Sequence, residues 1–81
     1  MSTLHQIQLL VRKDCHLCHA ARATVAEVTS RLNMEFSELD IDEHPDLLAK
    51  HHEEVPVLFI DGQVRDFWTI DPQRLERLLS N

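Results

Sequence analysis

Between His5 and Leu32 the apolar residues change period once, and the change falls on a pair of cysteines. Ile7, Leu9 and Val11 alternate, with Leu4 and Leu10 on the other face, which predicts a mostly buried strand over 5–12. From Leu17 the apolar positions Leu17, Ala21, Val25, Val28 and Leu32 recur at four, four, three and four residues. That is the stripe of an amphipathic helix of about four turns. A strand must therefore pass into a helix across Cys15 and Cys18, which commits the first third of the chain to a β-α unit. With 81 residues in all, the sequence is expected to form one domain over 1–81. A chain of this size buries only roughly 60% of its unfolded surface, enough for one modest core.

The remaining elements follow from turn and capping residues. Met34 to Ile41 reads as a second strand whose apolar positions change parity. Pro45 suits the first turn of a helix with Leu47 and Leu48 as its apolar face. Val57 to Ile60 is a continuous apolar run, and Asp61-Gly62 is the preferred type I′ pair leading into Gln63 to Phe67. Asp71 as N-cap, Pro72 at the first position and Ile70 stapled to Leu75 open a last helix that buries Leu75, Leu78 and Leu79. The order β-α-β-α-β-β-α predicts an α/β fold in which a parallel pair and an antiparallel hairpin share a four-stranded mixed sheet.

Gly62 is the single glycine. Dinucleotide fingerprints and phosphate-binding P-loops need two or three glycines for tight turns and close backbone approach, so neither can be built. A formal net charge of −6 argues against nucleic acid as a partner, which would require clustered Lys and Arg. The charge is unevenly spread. Residues 1–34 hold Arg12, Lys13, Arg22 and Arg31 against Asp14 and Glu27, whereas 35–61 holds nine acids and only Lys50. The cysteines thus fall in the basic third of an acidic chain. No apolar run approaches the roughly 18 residues of a membrane span, and the start lacks a basic stretch followed by an apolar one. A cytoplasmic protein acting as a monomer away from membranes is expected.

Cys15-His16-Leu17-Cys18, between a strand and a helix in a β-α-β chain, has the form of a thiol-disulfide redox motif. Two cysteines three residues apart close almost no loop, so a structural disulfide there would stabilise little. Unpaired N–H groups and the dipole at a helix N-terminus favour an anion, and Arg12, Lys13 and a protonated His16 would add positive charge. Cys15 is therefore the expected nucleophile. Cys18, one turn into the helix, is expected to be more buried and to act as the resolving thiol.

The element order, the C-x-x-C after the first strand and Val55-Pro56 before the third resemble the thioredoxin fold in its minimal glutaredoxin form, over roughly residues 5–80. The motif is similar to that of short bacterial glutaredoxin-like proteins reading C-x-L-C. The resemblance implies that Pro56 is a cis-proline facing the cysteines and that the Val55 backbone pairs with an extended substrate. Lys13 is assigned with them to substrate binding, as the cation beside the cysteines. It also implies a dithiol-disulfide oxidoreductase acting on a protein or small-molecule disulfide, with no bound cofactor or metal. Its electron donor would be glutathione or a thioredoxin reductase with NADPH. Thioredoxin's Trp-Cys-Gly-Pro-Cys and the Pro-Tyr spacer of dithiol glutaredoxins are absent. Where glutaredoxins carry Gly-Gly and an acid to hold glutathione, this chain reads Asp66-Phe67-Trp68-Thr69-Ile70-Asp71. Glutathione is accordingly expected to be the weaker donor.

Other readings of the same residues compete. Cys15 to His19 spells the C-x-x-C-H of haem attachment, for which Met34 would serve as axial partner. Cys15, Cys18 and His19 with His51 or His52 would make a zinc set, and some glutaredoxins bridge two chains with an iron-sulfur cluster. Free Cys is among the most buried residue types, so a pair of plain core cysteines is a further reading. His16 and His19 are expected to be solvated, as are the acids of 35–61, and His51 and His52 to sit at a helix C-terminus. Phe67 and Trp68 are expected in the core rather than as a substrate platform. From a different class, the fold could carry a metal-binding or protein-interaction module whose cysteines do not turn over.

Overall fold

A computed structural model describes residues 5–80. The strands are β1 (Ile7–Val11), β2 (Ser37–Asp40), β3 (Val57–Ile60) and β4 (Gln63–Phe67), and the helices are α1 (His16–Arg31), α2 (Pro45–His51) and α3 (Pro72–Leu79). A 3-10 turn, Ile41–Glu43, precedes α2. The sheet order is β2-β1-β3-β4, with β1 parallel to β2 and antiparallel to β3, and β3 antiparallel to β4. The expected order and mixed sheet are found. Leu4 lies outside the described residues.

Central β1 is covered on both faces, which is why four of its five residues are buried. Ile7, Leu9 and Val11 join Val25 and Val28 of α1 and Leu75 and Leu79 of α3 in the larger apolar cluster. Leu10 turns to the smaller one with Ile41 and Val57, beneath Leu47 and Leu48 of α2. Each fully buried Val, Leu or Ile contributes about 1.5–3 kcal/mol of transfer free energy. The only buried polar side chain among the described residues, Thr29, donates its hydroxyl to the Val25 carbonyl at 2.7 Å, so it leaves no unsatisfied group in the core.

Two expectations are corrected. Leu17 stands 45% exposed, and the buried face of α1 is Cys18, Ala21, Val25, Val28 and Thr29, one residue round the helix from where the apolar stripe was begun. The second strand is only Ser37–Asp40 rather than Met34 to Ile41. Its change of parity reflects two destinations: Met34 and Phe36 pack on the larger cluster, Leu39 and Ile41 on the smaller. The Asp40 carboxylate accepts the Asp42 N–H at 2.9 Å and turns Ile41 out of the strand.

With one glycine, left-handed backbone falls on other residues. Asn33 (φ 58°) ends α1, where the Met34 N–H reaches the Thr29 carbonyl at 2.8 Å and the Asn33 N–H that of Ser30 at 3.2 Å, a Schellman closure. Asp61 (φ 55°) and Gly62 (φ 81°) form the two-residue turn between paired Ile60 and Gln63, as the type I′ signal predicts. The Asp61 carboxylate also ties down the start of the chain: it meets His5 Nδ1 at 2.6 Å and accepts the Gln6 N–H at 2.9 Å. Those contacts, the His5 one foremost, hold Asp61 below its ordinary carboxylate range. Asp14 (φ 54°) makes the corresponding bend before Cys15. Asp and Asn tolerate this conformation through local hydrogen bonding. Trp68 (φ 64°) is the fourth such residue, and it has no such chemistry.

At the last helix, Asp71 accepts the Gln73 N–H at 2.9 Å, and Ile70 and Leu75 are buried in one cluster, so cap and staple stand as expected.

Candidate functional site

The site grows from the end of β1. After Val11 the chain bends at Asp14 and enters α1, with Cys15 as its N-cap in extended conformation. The Cys15 Sγ accepts the Cys18 N–H at 3.1 Å, and the Cys15 carbonyl accepts the His19 N–H at 3.2 Å. The N-cap role normally belongs to Ser, Thr, Asp or Asn oxygen; here sulfur takes the orphan amide. Cys15 and Cys18 are joined as a disulfide, with their Cα atoms 5.2 Å apart, well inside the span such bonds require. Cys15 is half-buried, and Cys18 is 1% exposed within the larger cluster. The expected burial difference is present.

The Val55-Pro56 bond is cis, and the Pro56 ring is fully buried. The pairing of Leu10 with Val57 sets Pro56 at the sheet end where β1 hands over to the cysteine loop. On its other side the Pro56 carbonyl accepts the Trp68 N–H at 2.8 Å, just beyond the paired Val57 and Phe67. The cysteine loop, Val55-Pro56 and Phe67-Trp68 thus come from three adjacent strands at one end of the sheet.

The local charge differs from what the sequence suggests. Arg12 faces Asp42 at 3.4 Å and Arg22 meets Glu38 at 2.8 Å, so neither guanidinium is a free cation beside Cys15. Lys13 is exposed and makes no ion pair with any described residue, so of Arg12, Lys13 and Arg22 it alone is left unpaired, and the helix N-terminus supplies the remaining positive potential at Cys15.

Phe67 and Trp68 overturn the expectation of core packing: they are 42% and 52% exposed. Their rings meet edge to face, with centroids 5.0 Å apart, and the indole Nε1–H donates to the Glu53 carbonyl at 3.0 Å. The signal for this was available in the sequence, since Phe67 ends, and Trp68 follows, a strand in which Gln63, Arg65 and Asp66 are polar and only Val64 is otherwise apolar.

The rival ligand sets do not come together. Met34 closes the far end of α1, whose 16 residues span about 24 Å, out of reach of a group attached at the cysteines. His51 Nδ1 meets Glu54 at 2.8 Å and its ring stands edge-on to Phe59, beneath the opposite face of the sheet. His19 Nδ1 lies 3.5 Å from Arg22. Among the described residues no group of three or more His, Cys, Asp or Glu side chains is arranged to hold a metal ion.

Residues 6–80 match the family described as the glutaredoxin-like domain (DUF836). An uncharacterized protein of Mycobacterium tuberculosis is 31% identical over 75 residues, covering 86% of this chain and 77% of its own. The X-ray structure of protein XcR50 from X. campestris superposes with a TM-score of 0.76 at 31% identity, over 91% of this chain and 95% of that one. Thioredoxin from Fasciola hepatica superposes with a TM-score of 0.65 at 18% identity, over 95% of this chain and 79% of its own, a likeness of fold. The architecture is thioredoxin-like, as expected, and the cysteine pair at disulfide distance is consistent with redox chemistry. No described helix is long and apolar enough to cross a membrane.

Proposed function

The chain belongs to the glutaredoxin-like domain family (DUF836), and from that premise we propose that it is a thiol-disulfide oxidoreductase that reduces disulfides through Cys15 and Cys18. In the reduced protein the Cys15 thiolate attacks one sulfur of a substrate disulfide, forming a mixed disulfide and expelling the other sulfur as thiolate. Cys18 loses its proton to solvent or to the departing thiolate and attacks the Cys15 sulfur. The substrate leaves fully reduced, and two electrons have passed from the cysteine pair, which ends as the Cys15–Cys18 disulfide.

The observation that carries this reading is the Cys18 N–H directed at the Cys15 Sγ, on a cysteine that solvent reaches, bonded to one that it does not. An amide already aimed at the sulfur stabilises thiolate without rearrangement. Burial of Cys18 leaves it reactive mainly toward its neighbour. Lys13, Val55 and Pro56 are the substrate-binding residues in this proposal, Lys13 as the local cation and half-buried Val55 through its backbone at the sheet end.

A reductase of the thioredoxin type, drawing on NADPH, is the proposed donor in preference to glutathione. Glutathione carries two carboxylates, and two of the nearby arginines are already engaged by Asp42 and Glu38. Phe67-Trp68 also occupies the stretch that would otherwise offer glycine backbone.

The test is trapping. Cys18→Ser incubated with a disulfide substrate should accumulate a mixed disulfide on Cys15, seen as added mass, while Cys15→Ser should accumulate none. Equal adducts on both variants, or none on either, would refute the assigned roles.

A further inference from the structure

Three of the four large apolar side chains that stand most exposed among the described residues, Leu17, Phe67 and Trp68, lie at the cysteine end of the sheet; the fourth, Val64, is in β4 near the hairpin. Trp68 is the most exposed of them and also the most firmly placed. Its backbone N–H is held by Pro56, its indole N–H by Glu53, and its ring by Phe67. It holds a left-handed φ of 64°, a conformation that is uncommon and strained for a bulky residue. Bulky residues persist in such backbone where the surroundings fix them, most often at functional sites. An aromatic face held rigid and left half open to water, at the end of the sheet that carries the disulfide, is suited to receive a side chain.

The surroundings say which kind. Glu53, whose backbone carbonyl receives the indole N–H, has its side chain 83% exposed, and Glu54 and Asp66 lie nearby in sequence on the two segments that meet there. The histidines that contact Glu53 and Glu54, His52 and His51, carry positive charge only when protonated. An aromatic face with an acidic rim attracts a cation through the ring quadrupole and through simple charge. Reach follows from the topology. From the end of β1 to the end of β4 there are two strand spacings, about 10 Å, which an extended peptide covers in about three residues.

We propose that Trp68, backed by Phe67 and rimmed by Glu53, is a specificity-determining residue that selects polypeptide disulfides carrying Lys or Arg about three residues from the cysteine attacked by Cys15. This rests on the oxidoreductase reading above and names the substrate class of that same site: a basic polypeptide segment laid across the sheet end, over Pro56. Trp68 touches the substrate away from the reacting sulfurs, so its contribution is to selection between substrates.

The experiment uses the full chain, reduced beforehand, and synthetic peptides whose one cysteine is a mixed disulfide with thionitrobenzoate. All share one leaving group, whose release is read by absorbance, and differ only in Arg, Ala or Glu three residues before or after the cysteine. An arginine placed six residues away controls for general attraction to a protein of net charge −6. With the arginine on its favoured side, the Arg peptide should react about fivefold faster than the Ala peptide. Trp68→Ala should bring that ratio to about one, Trp68→Phe should retain part of it, and Glu53→Gln should lower it. Val64→Ala, in β4 near the hairpin, should leave it intact. A misfolded fraction would react with both peptides alike, so the ratio is read only on variants whose thermal transition matches that of the unmodified protein, and Glu53→Gln, at a side chain 83% exposed, keeps the test independent of folding. Equal rates for Arg and Ala peptides in the unmodified protein, an equal gain from the arginine six residues away, or an undiminished ratio in Trp68→Ala would overturn the proposal. Release from no peptide at all would instead bring down the oxidoreductase reading on which it stands.

Discussion

The Cys18 backbone N–H points at the Cys15 sulfur across 3.1 Å in the disulfide-bonded pair, so the residue that bonds Cys15 through its own sulfur also offers it a backbone donor. One residue thus supplies both the donor that favours thiolate and the sulfur that resolves the mixed disulfide. The three-residue spacing makes this double use possible: position 18 is the N3 residue of a helix capped by position 15.

In the reduced protein this asymmetry should appear as unequal alkylation. Ordinary thiols titrate near pH 8.5, and an amide-solvated thiol at a helix N-terminus ionises earlier. Mass-resolved iodoacetamide labelling below neutral pH should modify Cys15 faster than buried Cys18, by about tenfold or more. Equal labelling rates across the series would contradict the assignment.

The position of the buried stripe on α1 has a direct consequence for stability. Leu17→Ala should change unfolding free energy by no more than about 0.5 kcal/mol, since the side chain is 45% exposed. Leu75→Ala, at 1% exposure where α3 meets the sheet, should cost about 2–5 kcal/mol. Urea midpoints of the oxidised proteins measure both, and a costly Leu17→Ala would show that the stripe begins at that residue after all.

The hairpin turn should be sensitive to backbone and indifferent to space. A Cβ at Gly62 would meet nothing within 4 Å, but φ there is +81°. Gly62→Ala should therefore destabilise by about 1 kcal/mol, and Gly62→Asn by less, because Asn adopts left-handed backbone more readily. Thermal denaturation of the three proteins side by side gives the comparison; an Asn variant no better than Ala would contradict it.

Asp61 adds a dependence on pH. Its folded-state pKa lies below the ordinary aspartate range because His5 and the Gln6 N–H favour the carboxylate. A lowered folded pKa contributes stability that is present above the unfolded value and lost as pH falls through the folded one. Asp61→Asn, which keeps a residue suited to the turn, should melt earlier than the unmodified protein at neutral pH, and the gap should close below about pH 4. A gap that stays constant down to about pH 2.5 would show that the charge of Asp61 is not its source.

Much of this fold was legible because its strongest signals are local. The change of period at the cysteines, Asp61-Gly62 and the Asp71-Pro72 cap each act over a few residues, and each forms as expected. The errors have a common cause in contacts between distant segments. Arg12 and Arg22 look like free cations until β2 and the turn after it bring Glu38 and Asp42 alongside. Leu17 fits a helical stripe as well as Cys18 does, and only the sheet decides which faces inward. Trp68 looks like core by composition, yet the α2–β3 segment meets its indole with a backbone carbonyl at the surface. At the site, the cysteine positions could be read from spacing, whereas the aromatic face beside Pro56 depends on β3–β4 pairing, which brings residues 56 and 68 together.

The most direct test of the central claim is a single-turnover titration. Reduced protein mixed with an equimolar peptide disulfide should yield two peptide thiols per protein, lose both of its own thiols, and show an intramolecular Cys15–Cys18 disulfide by peptide mapping. Peptide thiols that fail to appear while Cys15 and Cys18 both stay reduced, or a mixed disulfide that persists on Cys15 without resolution by Cys18, would contradict it.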